Sequence, residues 1–246
     1  MNTKFFKDIL VIAAMKSIPD IKKQPLTLII ITLLSFIPFF FTTFFGGQVD
    51  YALLGGMVCS IGFIGLASAI QDITMDRHEK TREMIVAMPV HPTSYSLGVA
   101  TSKLLYASPG FIIFLVLTIT LRILPLSAIG WSIISVFLCW AALSSIGFIV
   151  STYLRRASAN TLNNVSYILG IAFIFLPPVF YSEQLLGAYA WISIIFPTSN
   201  AASLIRAYAG ISEQSPQMIL LRWLVLAATT VVSLVAVSIK AKWREE

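Results

Sequence analysis

The chain has 246 residues, 57% of them apolar and only 11% charged, against roughly 45–50% and 25% in soluble domains. That balance excludes a water-soluble globule and defines an all-α integral membrane protein, organised as a single domain over residues 1–246. The net charge of +6 is accounted for by topology and anionic lipid, and it gives no argument for nucleic acid as a partner.

Residues 1–24 place Phe5, Phe6, Ile9, Leu10, Ile12 and Ala13 on one helical face and Lys4, Lys7 and Asp8 on the other, with Val11 and Met15 interrupting the polar side. The pattern predicts a helix lying flat at the inner membrane interface. Residues 8–15 are too short for the core of a cleavable signal, end in Lys16 and lack a small-residue cleavage site. The first apolar block is therefore expected to be retained as its own insertion signal.

Six apolar blocks cover 26–44, 53–70, 97–121, 129–154, 162–180 and 218–239. Each approaches or exceeds the roughly 20 residues that cross about 30 Å of hydrocarbon, so six transmembrane helices are predicted. With the N-terminus inside, thirteen of the seventeen Lys and Arg residues face the cytoplasm, Arg122, Arg206 and Arg222 lie outside, and Lys103 lies within a helix. This bias places both termini in the cytoplasm. Cys59 and Cys139 fall inside apolar blocks and read as small buried hydrophobes.

The first block ends in a Phe-rich run with Pro38, and the short turn at 46–51 carries no Lys or Arg, so blocks one and two form a hairpin. In block two, Gly56 and Ser60, then Gly65 and Ala69, have the small-x-x-x-small spacing that permits close helix approach. Between blocks two and three lies the most highly charged stretch of the first half, with Asp72, Asp76, Arg77, His78, Glu79, Lys80, Arg82 and Glu83 in twelve positions. Met84, Ile85, Val86, Ala87 and Met88 follow, then Pro89 and Pro92. Proline disfavours helix just before itself, so the stretch reads as a short cytoplasmic helix, charged at one end, apolar at the other and stopped at the membrane surface. It reads as a docking element rather than a plain connector, which could be much shorter.

Lys103, about two turns into block three, either snorkels to the headgroups or lines a polar pathway and meets an anionic substrate group. After block four, Arg155, Arg156, Asn160, Asn163 and Asn164 crowd one helix end. The asparagines either line an inner vestibule or cap the helix start. Block five runs into Pro177 and Pro178, which cannot continue an ordinary helix. Residues 185–196 are apolar but below spanning length, and are followed by Pro197, Thr198, Ser199, Asn200 and Arg206. The expectation over 182–216 is a pair of short helices re-entering the outer leaflet, sheltered by protein. The alternative is two interfacial helices on the outer surface.

With these elements placed, the chain resembles the permease subunits of ATP-binding-cassette exporters of the ABC-2 class. The family's loop after the second helix reads approximately E-R-E-x-G-T-L-E-x-L-L-x-T-P. Over residues 76–89 of this chain, Arg77, Thr81, Glu83 and Pro89 match, Asp76 is conservative, Lys80 replaces the glycine, and Gly98 falls on the family's next glycine with Val99 in place of its lysine. In the second half, a proline break late in helix five, Pro197-Thr198-Ser199, Leu204 and Arg206 are similar to the family pattern.

The resemblance implies two facing permease subunits, this chain with a second copy or a homologue, above two copies of a separate ATPase subunit that binds ATP and Mg. The chain has no Gly-Lys dipeptide, so it carries no phosphate-binding loop of its own. By the same resemblance, Asp76, Arg77, Glu79, Arg82 and Glu83 would orient a coupling helix on the ATPase. Met84, Ile85 and Met88 would supply its apolar contact, and transport would be a rigid-body switch. The expected setting is the plasma membrane of a prokaryote, and the expected cargo an amphipathic or hydrophobic drug, antimicrobial peptide or lipid. A polysaccharide, lipid-linked glycan or ion exporter of the same family would have a similar sequence. A membrane-embedded enzyme is disfavoured, since the two histidines, His78 and His91, both fall in the charged loop. A secondary transporter is disfavoured for want of inverted repeats or midplane ion ligands.

Overall fold

A computed structural model gives the fold and describes residues 3–23, 25–44, 46–78, 92–154 and 157–240. Among them the ordered elements are α1 (Thr3–Lys23), α2 (Pro25–Phe44), α3 (Val49–His78), α4 (Pro92–Thr120), α5 (Ile129–Tyr153), α6 (Ala159–Phe175), α7 (Pro197–Tyr208) and α8 (Pro216–Lys240), with 3-10 helices at Leu126–Ala128 and Glu183–Ile195. No strand occurs among the described residues, in line with the all-α expectation.

Four segments are long and apolar enough to cross a membrane: Val49–Gln71, Leu97–Thr120, Leu126–Tyr153 and Pro216–Ile239. They correspond to the second, third, fourth and sixth apolar blocks. The first block is α2, which meets α1 at a bend of 97° and brings the number to five if the bent pair is counted as one span. The fifth block is cut short. Its helix α6 ends at Phe175 after 17 residues, about 25 Å at 1.5 Å per residue, because the chain turns through Leu176, Pro177 and Pro178 instead of continuing.

Helix α3 is the axis of the molecule. Residues 51–62 are all buried, and the helix packs on α2, α4, α5, α6 and α7. A helix apolar all round has no preferred lipid face and is most readily placed inside a bundle. The four small residues singled out in its sequence serve two neighbours. Gly56 lies against the Phe114 ring of α4 and Ser60 lies by Gly110, while Gly65 faces Trp140 and Ala69 faces Gly147 of α5.

The α2–α3 hairpin closes as the sequence implies, with Gly47 N–H donating to Thr42 O at 2.7 Å and Gly46 at a φ of 78°. Helix α1 packs on α4, burying Ala13 and Ser17, while Phe6, Leu10, Val11, Met15 and Ile18 stay exposed. The apolar face read from the sequence is thus shared: its Ala13 side is taken by α4, and its Phe6 and Leu10 edge remains open. Helix α3 runs through Asp76 and Arg77 to His78, because no Gly or Pro stops it between Gln71 and His78. The 72–93 segment therefore begins as the end of α3, about 10 Å of helix beyond the span.

Candidate functional site

The prolines that end α6 create the site. A helix leaves its last four carbonyls without intrahelical donors, and among apolar neighbours each one needs another partner. Tyr181 hydroxyl donates to Leu176 O at 2.7 Å and Thr198 hydroxyl donates to Phe173 O at 2.5 Å. The carbonyls of the turn itself converge on one guanidinium. Arg206 Nη1 donates to Pro178 O at 3.0 Å and Tyr181 O at 3.3 Å, and its Nη2 donates to Val179 O.

Helix α7 can deliver Arg206 because it is short and wholly enclosed, with every residue from Pro197 to Arg206 buried. Pro197 occupies its first turn, where the missing N–H is not needed. Its C-terminus closes on Gly210 at a φ of 74°, with Gly210 N–H on Ala207 O and Ile211 N–H on Arg206 O, the reciprocal pair of a Schellman cap. The Arg206 guanidinium also lies 4.4 Å from the centre of the Tyr51 ring at the start of α3, a cation–π contact. Burial lowers its pKa to about 10, with Glu183 acting in the opposite direction, so it is a cation at neutral pH. Burial likewise raises the pKa of the Tyr181 phenol.

A second guanidinium lies beside the first. Arg222, on the second turn of α8, is 2% exposed, and its Nη2 pairs with Glu183 Oε2 at 2.5 Å. Arg222 Nη1 donates to Asn200 Oδ1 at 3.2 Å, and Asn200 Nδ2 donates to Ile194 O at 2.7 Å. Ser203 hydroxyl donates to the other Glu183 oxygen and accepts from Gln214 Nε2 at 3.2 Å. Three elements are thereby joined by charge: the 3-10 segment through Glu183, α7 through Asn200 and Ser203, and α8 through Arg222. Among the described residues no group of three or more His, Cys, Asp or Glu side chains could hold a metal.

The sequence-derived candidates distribute as follows. Pro177, Pro178, Pro197 and Arg206 come together in this cap. Arg206 and Arg222, counted on the outer side from the sequence, are both buried, because carbonyls, a carboxylate and an amide solvate them in place of water. Lys103 is half-buried on α4 with its ammonium 5.1 Å from the Tyr106 ring centre, and Tyr106 hydroxyl contacts Ser17 O of α1 at 3.4 Å, so it lies by the α1–α4 junction. Asn160, Asn163 and Asn164 are exposed on the first turns of α6, whose N-cap is Ser158, its hydroxyl accepting from Thr161 N–H at 3.2 Å. Asp76 and Arg77 end α3, and Glu79, Arg82, Glu83, Met84, Ile85 and Met88 lie outside the described residues.

Sequence reasoning missed Glu183, Arg222, Asn200, Ser203 and Tyr51. One signal was available. Arg222 is a charge inside the last apolar block, and the acids expected on the outer side are Asp50, Glu183 and Glu213, so its counter-charge had three candidates.

The residues that build this cap, from Tyr51 to Arg222, lie in the region matched by a family model described as ABC-2 family transporter protein, over residues 46–239. No curated protein matches the chain. With a match across most of its length and four or five membrane-capable helices, the chain belongs to the ABC-2 transporter family and is a multi-pass membrane protein.

Proposed function

We propose that the chain is the membrane-spanning permease subunit of an ATP-driven exporter, moving an amphipathic or hydrophobic cargo out of the cytoplasm or the inner leaflet. The observation that carries this reading is the family match over 46–239, which takes in all four membrane-capable helices and the polar cap. In this reading the chain crosses the membrane six times with both termini inside, α1 lies along the inner surface, and the cap faces outward. Energy comes from two copies of a separate ATPase, which binds ATP and Mg and docks on the 76–88 stretch. A second permease subunit completes the translocation path.

The 97° bend between α1 and α2 supports the placement of α1, since a helix at right angles to a crossing one lies in the membrane plane. The broad apolar faces of α2 and α8, including Ile29, Leu33, Phe40, Leu224 and Val232, are exposed and suit contact with lipid or a lipid-borne cargo. The test is reconstitution of the chain with and without an ABC-type ATPase encoded beside it, following uptake of a lipophilic dye into inverted vesicles. Uptake is expected only with ATPase and ATP, and Glu83→Lys is expected to leave hydrolysis running while uptake falls at least about tenfold, a loss of ~1.4 kcal/mol in coupling. Equal uptake without any ATPase would overturn the reading.

A further inference from the structure

The two buried guanidiniums are held in different ways. Arg206 is bound by three backbone carbonyls of the Pro178–Tyr181 turn, whose residues 177–180 are themselves buried. Arg222 is bound to the Asn200 amide oxygen and to one carboxylate, Glu183, at the first residue of the Glu183–Ile195 segment, and the Glu183 side chain is 22% exposed. The body of the segment is loosely seated. Leu185, Tyr189, Trp191 and Ile195 are each more than 60% exposed, and Ser193 is its one fully buried residue.

The segment also contains a joint. Gly187 has φ 51° and ψ −122°, and a Cβ built there would meet nothing within 4 Å. A side chain there would have room, but only glycine reaches this backbone conformation without strain. On the far side of the joint, Ile194 O accepts from Asn200.

From this we infer that Glu183 is a releasable latch: its bridge to Arg222 and Ser203 holds the Glu183–Ile195 segment shut as a flap over α7, hinged at Gly187, while Arg206 permanently fixes the turn from which the flap springs. The energetics favour a latch that rests closed. Releasing Glu183 strands Arg222 in a buried position, which is costly. Opening also gives water to Ser199, Asn200, Ser203 and Gln214, and this partly offsets the cost. A polar α7 beneath an apolar flap suits both positions, whereas an apolar α7 would resist wetting. The latch is a property of this chain alone. Its use as the gate that releases cargo rests on the exporter reading, so the experiment leaves transport out.

The full chain in lipid nanodiscs, with Ser193→Cys introduced, is labelled with a water-soluble maleimide. Ser193 is 1% exposed and its hydroxyl has no partner, so the exchange is mild, and the parent chain with buried Cys59 and Cys139 sets the blank. Glu183→Gln is expected to raise the labelling rate at least about tenfold, equivalent to ~1.4 kcal/mol, and the exchanged pair Glu183→Arg with Arg222→Glu is expected to bring it back down. An unchanged rate, or a lower melting temperature with an unchanged rate below it, assigns the pair to stability alone and overturns the latch, as does a well-folded exchanged pair that labels as fast as Glu183→Gln. Should Glu183→Gln not fold, Arg222→Lys carries the test, because it keeps the charge and loses the planar fork. A faster rate supports the latch, and the parental rate overturns it.

Discussion

Helices α3 and α7 are both enclosed by protein, and they reach that position by opposite routes. Helix α3 offers its neighbours Leu53, Leu54, Met57, Leu66 and Ile70, all fully buried. Lipid tails would accept the same side chains, so apolarity alone gives α3 little preference for protein over lipid, and what holds it is closeness of approach. Helix α7 offers Thr198, Ser199, Asn200, Ser203 and Arg206, also fully buried or nearly so, and lipid would not accept these. It is held because carbonyls that a proline break left unpaired need its donors. One helix is positioned by shape and the other by unmet hydrogen bonds, so they should fail differently.

The largest failure is expected at Arg206. Arg206→Met keeps a long side chain but withdraws the donors from Pro178 O, Val179 O and Tyr181 O. Each buried carbonyl left unpaired costs about 1–3 kcal/mol, and the expected total loss is about 3–5 kcal/mol. Thermal unfolding of the detergent-purified chain should show it, with Arg206→Lys recovering part, since an ammonium lacks the planar fork that spans several acceptors. An unshifted melting temperature would mean that water reaches the turn, and α7 would not be held as described.

For α3 the corresponding substitution adds a methyl group. A Cβ on Gly147 of α5 would lie 2.7 Å from Leu66 O and 2.9 Å from Ala69 Cβ, and neither the backbone nor a Cβ can turn aside. Gly147→Ala should therefore force α3 and α5 apart and destabilise by about 1–3 kcal/mol. The contrast sharpens at Gly130, also on α5, where a new Cβ meets no atom within 4 Å: Ala there should not destabilise and should add up to about 0.5–1 kcal/mol, since it loses less backbone freedom than glycine in a helix.

These two helices also mark what a linear reading can reach. For α3, close approach was legible from its small residues at four-residue spacing, but full enclosure was not, since a continuous apolar run suits lipid as well as protein. The break at Pro177 and Pro178 was legible, since two prolines end a helix whatever surrounds them. The enclosure of α7 was legible only as an expectation of shelter between the fifth and sixth blocks. Most of its partners lie 20 to 28 positions away along the chain, as in Arg206 with Pro178 and Ser203 with Glu183, and no periodicity encodes a pairing across that distance. Block length misled for a simpler reason: the block was counted through to Phe180, yet α6 stops at Phe175 because Pro177 and Pro178 end it.

The smallest effect separates shape from hydrogen bonding within one motif that occurs twice. Helix α4 ends as α7 does, with Arg122 N–H on Ile119 O and Ile123 N–H on Thr118 O, but the residue in the left-handed position, φ 57°, is Arg122 rather than glycine. A side chain there costs roughly 1–2 kcal/mol, and glycine gives back about 0.5–1 kcal/mol through its greater freedom in the unfolded chain. Arg122 is exposed, so its side chain adds little to the fold. Arg122→Gly should accordingly stabilise by about 0.5 kcal/mol, a rise of roughly 1–2 °C in melting temperature for a chain of this size, while Gly210→Ala at the matching position of α7 should lower it. Opposite signs at the two caps would show that backbone conformation alone sets the difference; a fall at both would mean that the Arg122 side chain has a stabilising contact of its own.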